Sequence, residues 1–236
     1  MLTVAILAGG RATRLGSLAQ HLPKSLLSVN GEPFLVHQLR LLRANGVTNV
    51  VLCLGHLGEM IQQAIGDGST LGIQVDYSFD GPNLLGTAGA VRKALPRLGE
   101  SFFVMYGDSY LPCNYPRIAR DFATKHVLGM MTVFRNNGRW DASNVEYESG
   151  RILAYSKTNR TPQMKHIDYG LGLFRAGAFE TVPQHAPSDL ADVYAALLKR
   201  NQLAAFQIHQ RFYEIGSPSG LRETSDFLAS RASPPK

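Results

Sequence analysis

The chain has 236 residues, 44% of them hydrophobic and 18% charged, and its 24 basic and 18 acidic side chains leave a net charge of +6. That balance excludes a disordered polypeptide, and no apolar run approaches the roughly 18 residues that would span a bilayer, so no membrane partner is expected. The basic residues are scattered, with pairs such as Arg92-Lys93 and Lys199-Arg200 and no stripe interleaved with aromatics, which favours small anionic ligands over nucleic acid.

Thr3 to Leu7 reads as a first strand. No basic segment precedes it, so it does not read as a signal peptide and the chain is expected in the cytoplasm. Pro33 to Asn45 reads as a helix with proline in its first turn and Gly46 past its end. Val47 to Leu54 is a second buried strand, followed by a short helix to about Ile65 and a third strand from Ile73 to Phe79. Thr87 to Leu95 is helical and should stop at Pro96. Ser101 to Tyr106 is a fourth strand. Strands alternating with helices predict an α/β fold: a mostly parallel central sheet with helices on both faces, Rossmann-like in its winding.

The second half is less regular. Met130 to Phe134, Asn144 to Tyr147, Ile152 to Lys157 and Tyr169 to Phe174 read as strands. Ser188 to Arg200 reads as a helix: Leu190, Val193, Tyr194, Leu197 and Leu198 line one face, and Ser188 is placed to cap it. Ser217-Pro218 opens a last helix, and Ser233 to Lys236 reads as a frayed tail. One domain over 1–236 is expected, with a nucleotide-binding half over about 1–112 and a second substrate half over about 113–230. The two cysteines, Cys53 and Cys113, have no partner at metal-ligand spacing, and Cys53 reads as a buried strand thiol.

Two segments carry chemistry. Leu7-Ala8-Gly9-Gly10-Arg11-Ala12-Thr13-Arg14-Leu15, closing on Pro23-Lys24, puts a glycine pair directly after the first strand. Ligands bind beyond the carboxyl ends of parallel strands, where backbone N–H groups can hold phosphates and Arg14 and Lys24 add positive charge. Neither a Gly-Lys-Ser/Thr P-loop nor a G-x-G-x-x-G turn is present. Phe102 to Tyr106 then delivers Gly107-Asp108, a carboxylate at a strand end where a divalent cation could bridge protein and phosphate; a turn aspartate is the plain alternative.

These segments resemble those of the sugar-1-phosphate nucleotidyltransferase family. Its signature Gly-Gly-x-Gly-Thr-Arg-Leu followed by Pro-Lys is matched by Gly9, Gly10, Thr13, Arg14, Leu15, Pro23 and Lys24, with Ala12 in place of the third glycine. Its Leu-Gly-Thr-Ala-Gly-Ala block stands unchanged from Leu85 to Ala90. Gly107-Asp108 matches its metal-binding pair, and Tyr213 to Pro218 resembles its Asp-x-Gly-Thr-Pro block. The resemblance runs in order over residues 7 to 218 and implies transfer of a nucleoside monophosphate from a triphosphate to a sugar 1-phosphate, with release of pyrophosphate.

The resemblance also implies roles. Leu7, Ala8, Gly9 and Gly10 would contact the nucleotide, Arg14 and Lys24 its phosphates, and Gly86 and Thr87 its base. Asp108 would hold Mg²⁺, with Glu214, where the family has Asp, as second carboxylate. Lys157 would meet the sugar phosphate, with Ser156 where the family has Glu. Asp168-Tyr169-Gly170 would meet the sugar, and Asn144 is grouped with them. Each has a plain alternative: a solvated strand-end lysine at 157, a turn or edge residue at 168, a helix-start charge at 214. Trp140 could stack on substrate or pack under its loop, and His56 reads as a loop or cap residue.

Many uridylyl- and thymidylyl-transferring relatives read the base with a Gln shortly before the Leu-Gly-Thr-Ala block; here the stretch Phe79 to Leu84 has no Gln but offers Asp80. A carboxylate can accept both N1–H and the 2-amino group of guanine, so GTP is favoured, with CTP or UTP as alternatives; a turn role before Gly81-Pro82 remains open. A non-sugar phosphorylated alcohol as acceptor, or an inactive nucleotide-binding regulatory module, are the other functional readings. The presence of Arg14, Lys24 and Asp108 weighs against the inactive module. A homodimer is left open.

Overall fold

The computed structural model describes residues 2–10 and 22–232. The motif residues Ala12, Thr13, Arg14 and Leu15 and the tail 233–236 lie outside the described residues. In chain order the strands and helices are β1 (Thr3–Leu7), β2 (Ser28–Val29), β3 (Glu32–Pro33), α1 (Phe34–Ala44), β4 (Asn49–Leu54), α2 (Gly58–Ile65), β5 (Gln74–Phe79), α3 (Gly86–Leu98), β6 (Ser101–Tyr106) and β7 (Ser109–Tyr110). They continue with α4 (Tyr115–Ala123), β8 (Gly129–Arg135), β9 (Val145–Glu148), β10 (Arg151–Tyr155), β11 (His166–Arg175), α5 (Leu190–Lys199), β12 (Leu203–Ile208), β13 (Tyr213–Glu214) and α6 (Pro218–Ala232).

Nine strands form one sheet in the order β10-β9-β11-β6-β1-β4-β5, with β8 and β12 continuing from β11. The strands of the first half, β6, β1, β4 and β5, are all parallel, while β11 crosses antiparallel to both β6 and β8. This is the α/β sheet expected from the strand–helix alternation, extended by antiparallel strands from the second half.

Alternation along β1 explains the layers. Val4 and Ile6 belong to the core on the side of α1, α2 and α4, together with Leu35, Leu39, Ile61 and Ile118. Ala5 faces the other way, into the core that α3 and α5 close with Ala88, Val91, Val193 and Leu197. Each such large apolar side chain contributes roughly 1.5–3 kcal/mol when fully buried. A third cluster of Leu27, Val29, Phe34, Tyr110, Ile215 and Leu228 ties α6, the β2–β3 hairpin and the β7–β13 pair to the main body.

Several boundaries differ from expectation: β10 ends at Tyr155, short of Lys157, β11 begins at His166, and three helix ends differ for visible reasons. α3 does not stop at Pro96 but carries it inside the last turn and ends at Leu98, with Gly99 beyond at φ +80°. Proline there forfeits one backbone hydrogen bond, and burial of Ala94 and Leu98 holds the turn. α5 is capped by Asp189, not Ser188: the Asp189 carboxylate accepts the Ala191 N–H at 2.8 Å, because the backbone of Ser188 is already paired with Leu85 and Ala88. Pro33 precedes α1 as its cap rather than entering its first turn. Helix α4 and strand β12 are further elements, α4 being capped by Asn114, whose side chain accepts the Arg117 N–H at 2.9 Å.

Candidate active site

The parallel strands β1, β4, β5 and β6 end at a cavity of about 310 Å³, lined by Leu7, Ala8, Gly9, Gly10, Lys24, Asp80, Gly86, Thr87, Tyr106 and Asp108, among others. Every nucleotide-side residue singled out in the sequence and described by the structure lines it. The end of β1 is wedged between its neighbours: Ala8 N–H donates to Cys53 O at 2.9 Å and Gly107 N–H to Leu7 O at 2.9 Å. Arg14 is outside the described residues. His56 is the loop residue expected, its N–H donating to Gly9 O at 3.3 Å.

At the cation end, Lys24 Nζ donates to Asp108 Oδ2 at 2.9 Å, with both side chains largely sheltered. The turn that presents Asp108 is clamped from below by Gln38, a fully buried residue of α1. Its Nε2 donates to Tyr106 O at 2.9 Å and Ser109 O at 2.7 Å. On its other side, Ile215 N–H donates to Asp108 O at 2.9 Å, and β13 pairs with β7 so that Glu214 stands opposite Ser109. The fold thus brings the chain at Glu214 beside Asp108, although the Glu214 side chain lines a neighbouring cavity of about 120 Å³ with Arg211 and Ser217. Trp140 packs rather than projecting freely: it tilts against Phe134, 5.6 Å between centroids, and the Arg211 guanidinium lies 4.7 Å over its ring.

At the opposite end, Asp80 Oδ2 accepts the Leu85 N–H at 3.0 Å. Burial raises its pKa, opposed by that N–H and by Lys93. Asp80 therefore fixes the 80–85 turn and also lines the cavity. Cys53 is part of the same wall, and burial pushes its thiol up to about 12, an inert state.

The acceptor-side residues form a second cluster. β11 is irregular between Asp168 and Gly172, and Gly170 takes φ +94°, a left-handed value that suits glycine. The bulge lets the Gly170 N–H donate to Asp168 Oδ1 at 3.0 Å, while Asn144 Oδ1 accepts the Asp168 N–H at 2.9 Å. Burial pushes the Asp168 carboxyl up to about 6, against the pull of the Gly170 N–H and Lys157. Lys157 Nζ donates to Asp189 Oδ1 at 2.9 Å, and the Thr87 hydroxyl, from the nucleotide cavity, donates to the same oxygen at 3.3 Å. The two clusters are therefore joined through Asp189. Gly86 makes the junction possible: at φ +70° it packs so closely on Ser188 that a Cβ would fall 2.5 Å from the Ser188 carbonyl oxygen.

Sequence reasoning missed Asp189, Gln38 and the tyrosines Tyr106, Tyr155 and Tyr194, on which Asp168 acts electrostatically. For Asp189 a signal existed, since aspartate caps helices as readily as serine. For Gln38, only its place on the buried face of α1 sets it apart.

A cavity of about 310 Å³ at the carboxyl ends of parallel strands, with a lysine and a carboxylate at one end, lies where open α/β sheets bind their ligands. The chain belongs to the nucleotidyl transferase family, whose model matches residues 3–231. Among its relatives is the N-acetylmuramate alpha-1-phosphate uridylyltransferase of Neisseria meningitidis, 27% identical over 231 residues that cover 92% of this chain and 94% of that protein. Another is mannose-1-phosphate guanyltransferase beta-B of Xenopus laevis, 27% identical over 222 residues; the match covers 90% of this chain but 61% of that protein's length. In fold the chain is similar to HddC from Yersinia pseudotuberculosis, solved with GMP-PN, with a TM-score of 0.80 at 21% identity over 97% of this chain and 100% of that one. It is also similar to the inositol-1-phosphate CTP transferase from T. maritima, with a TM-score of 0.78 at 22% identity over 97% and 95% of the two chains.

Proposed function

We propose that the protein transfers a nucleoside monophosphate from a nucleoside triphosphate to a sugar 1-phosphate and releases pyrophosphate, with GTP as the favoured donor. The observation that carries this reading is the pairing of a strand-end cavity holding Lys24 and Asp108 with a second polar cluster of Lys157 and Asp168, the two joined at Asp189. A transferase for two phosphorylated substrates needs two such anion-facing ends.

In this mechanism an oxygen of the sugar 1-phosphate attacks the α-phosphorus in line. The nucleophile is already ionised, so no general base is required, which accords with a site whose basic groups are lysines. Lys24, with Arg14 from the motif, would stabilise charge developing on the leaving pyrophosphate. Lys157 would orient the acceptor's phosphate, and Asp168 would accept from a sugar hydroxyl. Positioning of the two substrates then supplies the rest of the acceleration.

Asp108 suits Mg²⁺ as a single carboxylate ligand, although among the described residues no group of three or more His, Cys, Asp or Glu side chains gathers there. Asp108 offers hard carboxylate oxygens at the cavity edge, and the chain at Glu214 runs beside it. Magnesium characteristically takes one or two carboxylates and fills its remaining positions with water and substrate phosphate. Bound there, it would neutralise triphosphate charge and take the place of Lys24 on the Asp108 carboxylate, leaving the ammonium to the pyrophosphate.

For the base, Asp80 supports guanine: it is a largely desolvated carboxylate in the cavity wall, anchored through one oxygen. A two-donor partner suits it better than uracil, whose single N3–H is flanked by acceptors. The test is a matrix of GTP, CTP, UTP and dTTP against sugar 1-phosphates, read by pyrophosphate release. GTP turning over fastest with a sugar 1-phosphate supports the reading. Preference for UTP or dTTP would remove the role given to Asp80, and release only with a non-sugar phosphoalcohol would remove the acceptor assignment.

A further inference from the structure

We propose that Asp189 is a positioning residue of the acceptor site, holding the Lys157 ammonium on the nucleotide side, beside Thr87, and off the carboxyl group of Asp168. The inference deepens the reading above, in which Lys157 meets the acceptor's phosphate.

Asp189 is itself immobilised. Its Oδ1 caps α5 by accepting the Ala191 N–H at 2.8 Å and takes the Thr87 hydroxyl at 3.3 Å. Thr87 is fixed in turn, because its oxygen accepts the Leu190 N–H at 2.7 Å. Around them Ser188 is pinned by backbone bonds to Leu85 and Ala88, both 2.9 Å. The carboxylate is thus part of the rigid junction between α3 and α5. Lys157 is the opposite: an exposed side chain past the end of β10, on a four-carbon stem with many rotamers. Among the described residues its hydrogen-bonded partner is Asp189, at 2.9 Å.

Lys157 also acts on a second carboxylate. It pulls the acidity of the buried Asp168 in the direction opposite to burial. A sheltered carboxylate attracts an ammonium more strongly than an exposed one. Freed from Asp189, Lys157 would swing to Asp168 and occupy the site meant for the sugar. Asp189 thus keeps the two acceptor-side groups apart, one for phosphate and one for hydroxyl, and ties the lysine to the block that lines the nucleotide cavity. The other titratable groups that interact with Asp168 are Tyr155 on β10, Tyr106 on β6 and Tyr194 on α5.

The test is Asp189→Asn, which keeps the cap because asparagine caps as well as aspartate, with Lys157→Ala and the double variant as controls. The expected result is a KM for the sugar 1-phosphate raised about fivefold, the scale of one exposed charged contact, with KM for the triphosphate within about twofold. In the same variant the Asp168 carboxyl, followed by ¹³C NMR, should titrate about one pH unit lower as Lys157 closes on it. Both changes should vanish when Lys157 is already alanine. A sugar-phosphate KM that falls would make Asp189 a competitor for Lys157 and overturn the proposal. So would a parallel rise in both KM values, or an Asp168 titration that does not move. If no triphosphate and sugar 1-phosphate pair releases pyrophosphate from the wild type, the proposed reaction fails, and the Asp168 titration still decides the role of Asp189.

Discussion

Asp168→Asn should make the protein more stable in alkaline solution and less active. Burial pushes the Asp168 carboxyl up to about 6 despite the Gly170 N–H and Lys157, whereas the unfolded chain releases that proton near the ordinary aspartate value of about 3.9. Between these two values the folded state holds a proton that the unfolded state has lost. Stability contributed by this group therefore falls as pH rises from about 4 to about 6, and stays low above. A displacement of about two units corresponds to at most about 3 kcal/mol. Asparagine never ionises, and its oxygen can still accept the Gly170 N–H. The variant should then gain up to about 3 kcal/mol over wild type at pH 8 and nothing at pH 4, a Tm difference of several degrees for a chain of this size. Melting both proteins across that range, beside a pyrophosphate-release assay, makes the test. A gain that is absent at pH 8, or greater at acid pH, would refute the account of Asp168 as a buried charge retained for function. An active, stabilised variant would refute its role at the sugar.

Three further outcomes follow from the nucleotide cavity. Asp108→Asn should lower activity by two orders of magnitude or more with an unchanged melt, and chelation should abolish wild-type activity; a chelator-resistant enzyme would remove Mg²⁺ from the mechanism. Lys24→Ala, which deletes the cation 2.9 Å from Asp108, should cut kcat about a hundredfold, and a change confined to KM would assign Lys24 to ground-state binding alone. Asp80→Ala should erode preference for GTP over UTP more than it lowers total turnover, measured by competition between the two triphosphates. Equal loss with both would leave Asp80 as the residue that holds the 80–85 turn through Leu85.

The nucleotide half was legible because its site is built from strand ends. Once β1 and β6 were placed, the parallel sheet itself put Gly9, Gly10 and Asp108 on one rim. The Leu85 to Ala90 block needed only the start of α3 to join them. Local pattern misjudged how α3 ends, because a single missing hydrogen bond at Pro96 weighs less than the apolar burial continuing to Leu98. The two-residue strands β2, β3, β7 and β13 carry too little periodicity to be seen in sequence. Yet one of them, β13, is what carries Glu214 to the turn of Asp108.

The acceptor half was legible only through its motif residues, and the way they are joined through Asp189 was not. Lys157, Asp168 and Asp189 come from the loop after β10, the first residues of β11 and the cap of α5. Their meeting depends on a bulge that opens at Gly170 and on which of two adjacent residues caps a helix. Neither feature alters the hydrophobic pattern, so Lys157 and Asp168 could be singled out while the contacts that place them could not. The nucleotide end is mainly backbone turns, which tolerate change in neighbouring side chains so long as the strands are kept. The acceptor end depends more on side chains, such as Lys157 and Asp189 held at 2.9 Å across elements distant in sequence. A single substitution can therefore redirect the acceptor end without disturbing the fold. In a protein so arranged, new acceptor specificity should arise first at Ser156, Lys157, Asp168 and Asp189, while the triphosphate site stays as it is.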